Sequence, residues 1–400
     1  MNFSSKRLQL VQPSASVAVS QQARALRAEG KDIIDLGIGE PDFDTPTHII
    51  EAAHQAALDG KTRYTPMAGT EELKQAICDK FERDNGLDFE TSQIMVSNGA
   101  KQIIFSAMLA TLNPGDEVLI TAPYFGCYRD IVLSVGGIAK PLVCGPETNF
   151  RLTADKLRAA ITDKTRWLML NMPSNPAGAV YDESQLTSLG KVLDEHPQVM
   201  LMSDEIYEHI IFDQRKFVSA AKALPQLKDR TLTVNGVSKA YAMTGWRIGY
   251  CAGPKALIDV MTKVQSQVSS APCSIAQSAA AEALNGSQAC VAEFREAFVR
   301  RRNLVVSAIE QINGLELQVP GGAFYAYVGC EALIGSKTPD GETIESDTEL
   351  AAWLLNEAGV ATVPGSAYDL SPFIRLSTAN SDENLKLALE RTAQAVGRLH

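Results

Sequence analysis

The sequence predicts an α/β fold with a mostly parallel sheet between helices, followed by a smaller α+β unit. Short apolar runs alternate with longer amphipathic stretches, which is typical of βαβ units. The runs are apolar at nearly every position, as expected for strands of a sheet that is covered on both faces. The 400 residues are 45% hydrophobic and 21% charged, so an extended disordered chain is excluded.

The same patterns predict the individual strands of the main sheet and the helices around it. Six β-branched or apolar runs are predicted as strands: residues 94–97, 118–121, 167–170, 199–202, 232–234 and 248–251. Amphipathic stretches before and between them are predicted as helices: residues 71–83, 153–161 and 183–195. A further helix pattern runs from residue 100 to residue 112, after a turn of small residues.

The C-terminal third has a different pattern, which predicts a separate α+β unit. Its predicted elements are a long charged helix (288–311), a strand (322–328), a Gly- and Asp-rich loop (335–347), a helix (348–358), a strand (374–377) and a closing helix (382–399). We therefore place a domain boundary near residue 285, with a large domain at residues 46–285 and a small domain at residues 286–400.

Charge and composition exclude several classes of function. Lys and Arg number 37 against 47 Asp and Glu, and a net charge of −10 disfavours nonspecific nucleic-acid binding. The sequence has no apolar run of about 20 residues that could span a membrane, and it lacks the apolar core of a signal peptide. The seven cysteines form no CxxC pair and the histidines show no metal-ligand spacing, so we expect no metal site and a cytoplasmic location.

Lys239 is the first candidate for chemistry, because it follows an apolar strand in a loop of small residues. A lysine whose pKa is lowered by burial and nearby cations becomes a nucleophile that forms Schiff bases. Arg247 lies eight residues further on, near enough to share a site and hold an anion. Alternatively, Lys239 is a solvated surface residue and Arg247 belongs to a structural ion pair.

Three more polar groups come directly after predicted strands. Asp204 lies at the carboxyl end of a strand, where open α/β sheets bind ligands, although it could instead cap a helix. Asn175 stands in a rigid Asn-Pro turn and could present its amide to a site or simply shape the turn. Residues Gly99 to Lys101 begin a predicted helix, whose free N–H groups could bind phosphate.

The common nucleotide-binding and hydrolase motifs are absent from the sequence. Gly37 and Gly39 resemble the start of a dinucleotide-binding loop, but the third glycine and the rest of that fingerprint are absent. The sequence contains neither a P-loop nor a GxSxG nucleophile elbow.

Taken together, these motifs resemble pyridoxal-phosphate aminotransferases of fold type I, class I/II, and within them the bacterial aspartate aminotransferases of the Iβ branch. The specific blocks are SKAYAMTGWRIGY at 238–250, IGEPDFDTP at 38–46, SNPAGAVY at 174–181 and SDEIYEH at 203–209. The resemblance extends from about Arg7 to the C-terminus. It implies a large domain with a seven-stranded sheet, and a small domain built from both termini, with residues 1–45 as N-terminal arm and part of that small domain.

The resemblance also implies which residues bind pyridoxal 5′-phosphate. Lys239 would bind the cofactor covalently and move the substrate proton, and Asp204 would pair with the pyridine nitrogen. Asn175 and Tyr207 would hold the phenolic oxygen, and Phe125 would stack on the ring. The remaining implied contacts surround the phosphate group: Gly99, Ala100, Lys101, Ser238 and Arg247, with Tyr64 reaching the phosphate of the neighbouring subunit in a homodimer with shared sites.

For the substrate, the resemblance implies amino-group transfer from an L-amino acid, aspartate first, to the 2-oxo acid 2-oxoglutarate by a ping-pong route. Arg375 would clamp the α-carboxylate, helped by Asn175 and the Gly39 backbone. Lys101 and Ser16 would meet the distal carboxylate of a dicarboxylate.

Other substrates and other functions stay open at this point. Position 12, which is basic in some relatives, is Gln12 here, and this puts prephenate in doubt. Aromatic or other neutral amino acids are alternative donors. A lyase or synthase with the same cofactor, or a noncatalytic regulator-like module, are alternative functions.

Overall fold

The structure is a computed structural model that describes residues 3–400. Its helices are α1 (Ala15–Ala28), α2 (Thr47–Leu58), α3 (Glu71–Lys80), α4 (Ala100–Thr111), α5 (Cys127–Ser134), α6 (Ala154–Ala160), α7 (Glu183–Asp194), α8 (Ala220–Ala223), α9 (Lys255–Val268), α10 (Ser274–Asn285), α11 (Ala289–Ile309), α12 (Asp347–Glu357) and α13 (Asp382–Val396). Its strands are β1 (Ile34–Asp35), β2 (Ile94–Ser97), β3 (Glu117–Ala122), β4 (Ile138–Val143), β5 (Thr165–Asn171), β6 (Met200–Asp204), β7 (Thr231–Gly236), β8 (Gly249–Ala252), β9 (Glu316–Leu317), β10 (Tyr325–Gly329), β11 (Val360–Ala361), β12 (Val363–Pro364) and β13 (Phe373–Ser377).

A seven-stranded sheet forms the centre of the molecule, in the order β2-β8-β7-β6-β5-β3-β4. Strand β8 runs antiparallel to both of its neighbours, and the other six strands share one direction. The sheet is therefore mostly parallel, as predicted. Its five inner strands are almost completely buried, which accounts for their high share of apolar residues, although β5 and β7 also contain polar ones.

The six strands predicted from apolar runs are all present, and the sheet has a seventh strand, β4, which no apolar run indicates. This strand lies at the edge of the sheet and most of its residues are exposed or partly exposed. It also contains Pro141, which cannot donate a ladder hydrogen bond and is tolerated in an edge strand. An exposed strand that includes proline lacks the apolar pattern on which the prediction depended.

Helices cover both faces of this sheet. Helices α4, α5 and α9 pack on one face through side chains such as Ile103 and Met261, and α7 packs on the other through Leu186 and Leu189. Helices α2, α3 and α10 pack together near β2 and β8. The burial of apolar side chains on both faces holds the carboxyl ends of the parallel strands in fixed positions.

The C-terminal part forms the predicted α+β unit. A four-stranded antiparallel sheet, in the order β12-β13-β10-β9, packs with α11, α12 and α13 around one apolar cluster. Strand β10 begins three residues later than predicted, and α13 ends at Val396, before Gly397.

The N-terminal residues meet this C-terminal unit. Strand β1 pairs in parallel with β11, Ile34 with Val360 and Asp35 with Ala361, and α1 contacts β1, β11 and β12. The predicted domain boundaries at residues 45 and 285 stay predictions. Among the helices of residues 3–400, none has both the length and the apolar composition needed to span a membrane.

Candidate active site

A cavity of about 540 Å³ lies where the carboxyl ends of the parallel strands face the C-terminal unit. The loops after β2, β3, β5, β6 and β7 open at this edge of the sheet, and β10 and β13 approach from the other side. Twelve of the residues singled out from the sequence line the cavity: Ser16, Gly39, Ala100, Lys101, Phe125, Asn175, Asp204, Tyr207, Ser238, Lys239, Arg247 and Arg375.

Lys239 projects into this cavity from the loop after β7. Its Nζ donates a hydrogen bond of 2.6 Å to the backbone oxygen of Gly39. Burial, with the positive charges of Arg247 and Arg375, lowers the pKa of the Lys239 amine to about 8. The amine is thus far closer to its neutral, nucleophilic form than an ordinary lysine. The alternative of a solvated surface lysine is excluded by this position.

Asp204 ends β6 and is 6% exposed. Its Oδ2 accepts a hydrogen bond of 2.5 Å from the Tyr128 hydroxyl, and its Oδ1 accepts one of 3.3 Å from the backbone N–H of Ile206. Burial raises the pKa of this carboxyl to about 6. A turn and not a helix follows Asp204, so the helix-capping alternative is wrong. A cationic group in the cavity would stabilise the ionised carboxylate.

Arg247 and the start of α4 form the positively charged end of the cavity. The Arg247 guanidinium donates to the backbone oxygens of Thr244 (2.8 Å) and Asn98 (3.4 Å), and no carboxylate of residues 3–400 lies within ion-pair distance. Gly99 precedes α4 with a φ of 88°, and a Cβ there would collide with this guanidinium. Free N–H groups of a helix N-terminus and an unpaired guanidinium suit a phosphate group. Gly99 itself is beside the cavity and not among its lining residues.

Arg375 comes from β13 and is 1% exposed. Its Nη1 donates to Asn175 Oδ1 at 3.0 Å, its Nη2 donates to the Gly37 backbone oxygen at 2.5 Å, and its buried Nε has no partner. Among the described residues no carboxylate pairs with this charge. A buried guanidinium with a free donor is a site for a ligand carboxylate.

Neighbouring groups fix the orientation of these side chains. The Tyr207 hydroxyl lies 2.8 Å from the Tyr325 hydroxyl, and the Tyr325 ring lies 4.6 Å from the Arg375 guanidinium. The Asn175 backbone N–H donates to Asn171 Oδ1 at 2.7 Å. Its side-chain Nδ2 has no hydrogen-bond partner in the described part of the chain, so it remains available to a ligand.

The rim of the cavity is more open. Lys101 is exposed, and its Nζ lies 5.3 Å from the centroid of the Phe125 ring. Ser16 is partly exposed, with its hydroxyl 3.3 Å from that of Tyr368. Gln12 lines a smaller adjacent pocket of about 170 Å³, together with Arg129 and Tyr124.

Tyr64 is the predicted site residue that the structure does not bring to the cavity. Its side chain is 95% exposed on the surface of the single chain. The resemblance implies a contact with a neighbouring subunit, so this role stays a prediction.

Sequence reasoning also missed residues of the cavity wall. The wall contains a contact of Tyr128 with Asp204, one of Tyr325 with Tyr207, and one of Asn171 with Asn175. It is also lined by Arg24 and Asp35. Asn171 ends β5, which is the strand-end signal that identified Asp204, and could have been found in that way. The residues Tyr128 and Tyr325 belong to α5 and β10, which reach the cavity only through tertiary packing. Within residues 3–400 no cluster of three or more His, Cys, Asp or Glu side chains could hold a metal ion.

Comparison with known proteins adds independent evidence. The sequence model of the family described as aminotransferase class I and II matches residues 31–391. The aspartate aminotransferase of Rhizobium meliloti (strain 1021) is 52% identical over 393 residues, which cover 98% of this chain and 96% of that protein. An aspartate/prephenate aminotransferase of Cereibacter sphaeroides is 52% identical over 98% of both chains. The crystal structure of the aspartate aminotransferase from Rhizobium meliloti superposes with a TM-score of 0.97 at 51% identity over 100% of both chains.

Proposed function

Because the chain belongs to the class I and II aminotransferase family, we propose that it transfers the amino group of an L-amino acid, aspartate above all, to 2-oxoglutarate by a ping-pong route. The chain is a transaminase and depends on pyridoxal 5′-phosphate. The observation that carries the proposal is one cavity with a lysine of lowered pKa and a buried arginine that lacks an acidic partner.

The residues present fit this cofactor. Asp204 is a buried carboxylate in need of a cation, which suits a protonated pyridine nitrogen. Arg247, Ser238 and the N-terminus of α4 offer a cation, a hydroxyl and free N–H groups at the other end of the cavity, which suits the phosphate. Phe125 would lie against the ring, and Tyr207 and Asn175 would hold its phenolic oxygen.

The bound cofactor supplies an electron sink for the negative charge that develops at the substrate Cα. Lys239 would bind the cofactor covalently at rest and then take and return the proton at Cα. Its amine is suited to this work because burial lowers its pKa to about 8, so that a substantial fraction is neutral and can accept a proton near that pH. The carbonyl of Gly39 orients the amine through the hydrogen bond of 2.6 Å.

Arg375 would bind the substrate α-carboxylate and so place Cα beside Lys239. Two of its donors are already occupied by Asn175 and Gly37, which fixes the plane of the guanidinium before the substrate arrives. Preorganisation of this kind removes an ordering cost from substrate binding.

Aspartate is the preferred donor in this proposal for two reasons. The relatives at 52% identity carry aspartate in their names, and Lys101 stands at the rim with its charge free for a distal carboxylate. Prephenate is the second candidate, because the relative from Cereibacter sphaeroides is named for it too. Arg129 lies beside Gln12 in the adjacent pocket, so a cation is present there although position 12 is neutral.

We also propose that the chain acts in the cytoplasm as a homodimer whose two sites are shared. The exposed aromatic side chain of Tyr64 supports this proposal, since a tyrosine that is 95% exposed is well placed to contact a second copy. Light scattering of the purified protein at several concentrations would test the dimer. A Tyr64→Phe variant that lowers cofactor affinity would test the shared site, and unchanged affinity would contradict it.

The test of the function is the visible spectrum of the purified protein with pyridoxal 5′-phosphate. Single amino acids are added without any 2-oxo acid, so that only the first half of a ping-pong reaction can occur. We expect aspartate, followed by glutamate, to remove the yellow band at the lowest concentration, and 2-oxoglutarate to restore it.

Each other result has a definite meaning. Loss of the band only with aromatic or small neutral amino acids would show that Lys101 does not select a distal carboxylate. Loss without recovery on adding any 2-oxo acid would contradict transamination. The absence of a yellow band would contradict the assignment of the cofactor-binding lysine.

A further inference from the structure

One short segment of the chain touches both of the groups that the proposed reaction needs. We define it as the 37–45 segment, which runs from β1 to α2. The backbone oxygen of Gly37 accepts from Arg375 at 2.5 Å, and the backbone oxygen of Gly39 accepts from Lys239 at 2.6 Å. The position of this segment therefore fixes the direction of both cations.

Glycine is required at position 39, where a Cβ would lie 2.6 Å from the Tyr325 hydroxyl. At its β1 end the segment is held by the Gly37 N–H, which donates to Asp35 Oδ1 at 2.8 Å. The part beyond Gly37, which carries the contact of Gly39 with Lys239, depends on contacts outside the cavity.

The far end of the segment is attached to α11 by an ion pair and by stacked rings. Arg301 binds both carboxylate oxygens of Asp42, at 2.7 and 2.8 Å. Phe43 stacks on Phe294 with ring centroids 4.2 Å apart, and the Arg301 guanidinium lies 4.9 Å from the Phe43 centroid. Arg301 is 6% exposed, so the pair is shielded from solvent and salt on the arginine side.

Further bonds attach the segment to the loop after Lys239. Thr45 Oγ1 donates to the Ala242 backbone oxygen at 2.7 Å, and Thr244 Oγ1 donates to Glu40 at 2.9 Å. These contacts hold the segment to the large sheet. The bidentate pair to Arg301 is the charged contact that joins it to α11.

We propose that Arg301, through its bidentate pair with Asp42, is a positioning residue that sets how tightly Arg375 binds the substrate α-carboxylate. The inference rests on the proposed function, because it assigns the α-carboxylate to Arg375. Arg301 does not line the cavity, so it acts only through the 37–45 segment. Gly37 keeps its bond to Asp35, so loss of the pair loosens the segment from the α2 side, and the Gly37 carbonyl shifts together with the Arg375 guanidinium that it accepts from.

Arg300 provides a matched control on the same helix. It is exposed and pairs with Asp382 at 2.7 Å, and it makes no contact with Asp42. Arg301 also reaches Asp382, at 3.3 Å. A change at Arg300 therefore disturbs the shared acidic partner but leaves the 37–45 segment attached.

The experiment compares cofactor-loaded wild type with Arg301→Lys, Asp42→Asn and Arg300→Lys. The concentration of aspartate that removes half of the visible band and the limiting rate of its loss are measured without a 2-oxo acid. We expect Arg301→Lys and Asp42→Asn to raise the half-saturating concentration about 10-fold, since misplacements near 1 Å cost up to ~100-fold. The limiting rate should fall less, and Arg300→Lys should stay within about 2-fold of wild type.

Thermal unfolding of the same four proteins separates positioning from a purely structural role. A lower melting temperature with an unchanged half-saturating concentration in both test variants would overturn the inference. Asp42 is partly exposed, so Asp42→Asn remains informative if Arg301→Lys does not fold. A protein that carries both Arg301→Lys and Asp42→Asn tests whether the two residues act as one pair. Its half-saturating aspartate concentration should then rise no more than in either single variant, and additive increases would contradict the inference.

The two proposals fail in different ways. If the wild type responds to another amino acid and not to aspartate, the proposed donor is wrong. The four proteins are then compared with that amino acid, whose α-carboxylate faces the same Arg375. An equal response of all four proteins would overturn the role of Arg301 while leaving the amino-group transfer intact.

Discussion

The two cations that we assign to substrate carboxylates, Arg375 and Lys101, are held in very different ways. Arg375 is 1% exposed and bonded to Asn175 and Gly37, with Tyr325 packed against its face. Lys101 is exposed, and its Nζ lies 5.3 Å from the centroid of the Phe125 ring. The first is fixed before a ligand arrives, and the second must be ordered by it.

This difference separates the chemistry of the site from its choice of substrate. Every amino acid has an α-carboxylate, so a rigid inner clamp serves all substrates equally well. The side chain differs between substrates, and in the proposed function it would meet the exposed Lys101 at the rim, where solvent screens the lysine charge. We therefore expect inner substitutions to affect every substrate and rim substitutions to affect dicarboxylates only.

Substitution of Lys239 should have the largest effect and should be the same for all substrates. In Lys239→Ala no amine remains to bind the cofactor covalently or to move the Cα proton, so turnover should fall by at least ~10⁴-fold. Steady-state assays with aspartate and with alanine would measure this. Lys101→Ala, in the same cavity, is the control that should keep its yellow band. Normal activity of Lys239→Ala with either donor would refute the assignment.

Arg375→Ala should also affect all amino acids equally, through binding. Removal of a buried charged partner costs about 2–5 kcal/mol, so kcat/KM should fall by about 30-fold to about 5,000-fold. The loss should be similar for aspartate and alanine. An amine without an α-carboxylate provides the control, because wild type and variant should react with it equally slowly. A loss confined to aspartate would place the distal carboxylate, and not the α-carboxylate, at Arg375.

Asp204 gives a prediction about stability in cofactor-free protein. Its folded pKa of about 6 is higher than its ordinary value of 3.8, so its contribution to stability is complete below pH 3.8 and is lost as the pH rises through about 6. The total loss is about 3 kcal/mol. Asp204→Asn cannot ionise, so the variant should escape this loss.

Urea unfolding of both proteins between about pH 4 and pH 7, the range that spans the two pKa values, would measure the effect. Without cofactor, the stability of the wild type relative to Asp204→Asn should decrease over this range. With cofactor bound, the wild type should instead be more stable than Asp204→Asn, because the ionised carboxylate then has a cationic partner. Parallel pH profiles of the two cofactor-free proteins would show that the pKa of Asp204 is the same in the folded and unfolded states, and would contradict the raised pKa.

Part of this site could be predicted from the sequence because strand ends are visible there. Asp204 comes after the apolar run at residues 199–202, and Lys239 follows β7, in which Leu232 and Val234 are apolar. Such short runs between helix patterns indicate buried parallel strands whose carboxyl ends meet at one edge. The family resemblance supplied Arg375, which lies inside a short strand of the C-terminal unit. Its apolar neighbours indicate a strand, but nothing local indicates that its charge is turned towards Lys239.

Tyr128 and Tyr325 could not be found in this way. Tyr128 is on α5 and Tyr325 begins β10, and both are buried aromatic residues that look like ordinary core positions. They join the site because α5 and β10 pack around it, so long-range packing brings their hydroxyls to Asp204 and Tyr207. Edge strand β4 was missed for the opposite reason, since exposure removes the apolar pattern.

A smaller effect is predicted for Lys101, and it gives the sharpest test of the contrast between the inner clamp and the rim. Lys101→Ala removes an exposed charge whose interaction with a carboxylate is worth about 1 kcal/mol or less, so KM for aspartate should rise about 3- to 5-fold. KM for alanine should not change, because alanine has no distal carboxylate. Raising the ionic strength should increase KM for aspartate in the wild type and have less effect in the variant.

Ser16→Ala is a matched comparison on the other side of the rim. Its hydroxyl lies 3.3 Å from that of Tyr368, and in the proposed function it would offer a neutral hydrogen bond to the distal carboxylate. The effect on KM for aspartate should therefore be small and independent of salt. If Lys101→Ala instead reduces the reaction of aspartate and alanine equally, the rim contributes to cofactor binding through its helix N-terminus, and substrate choice must be made at the fixed inner end of the cavity.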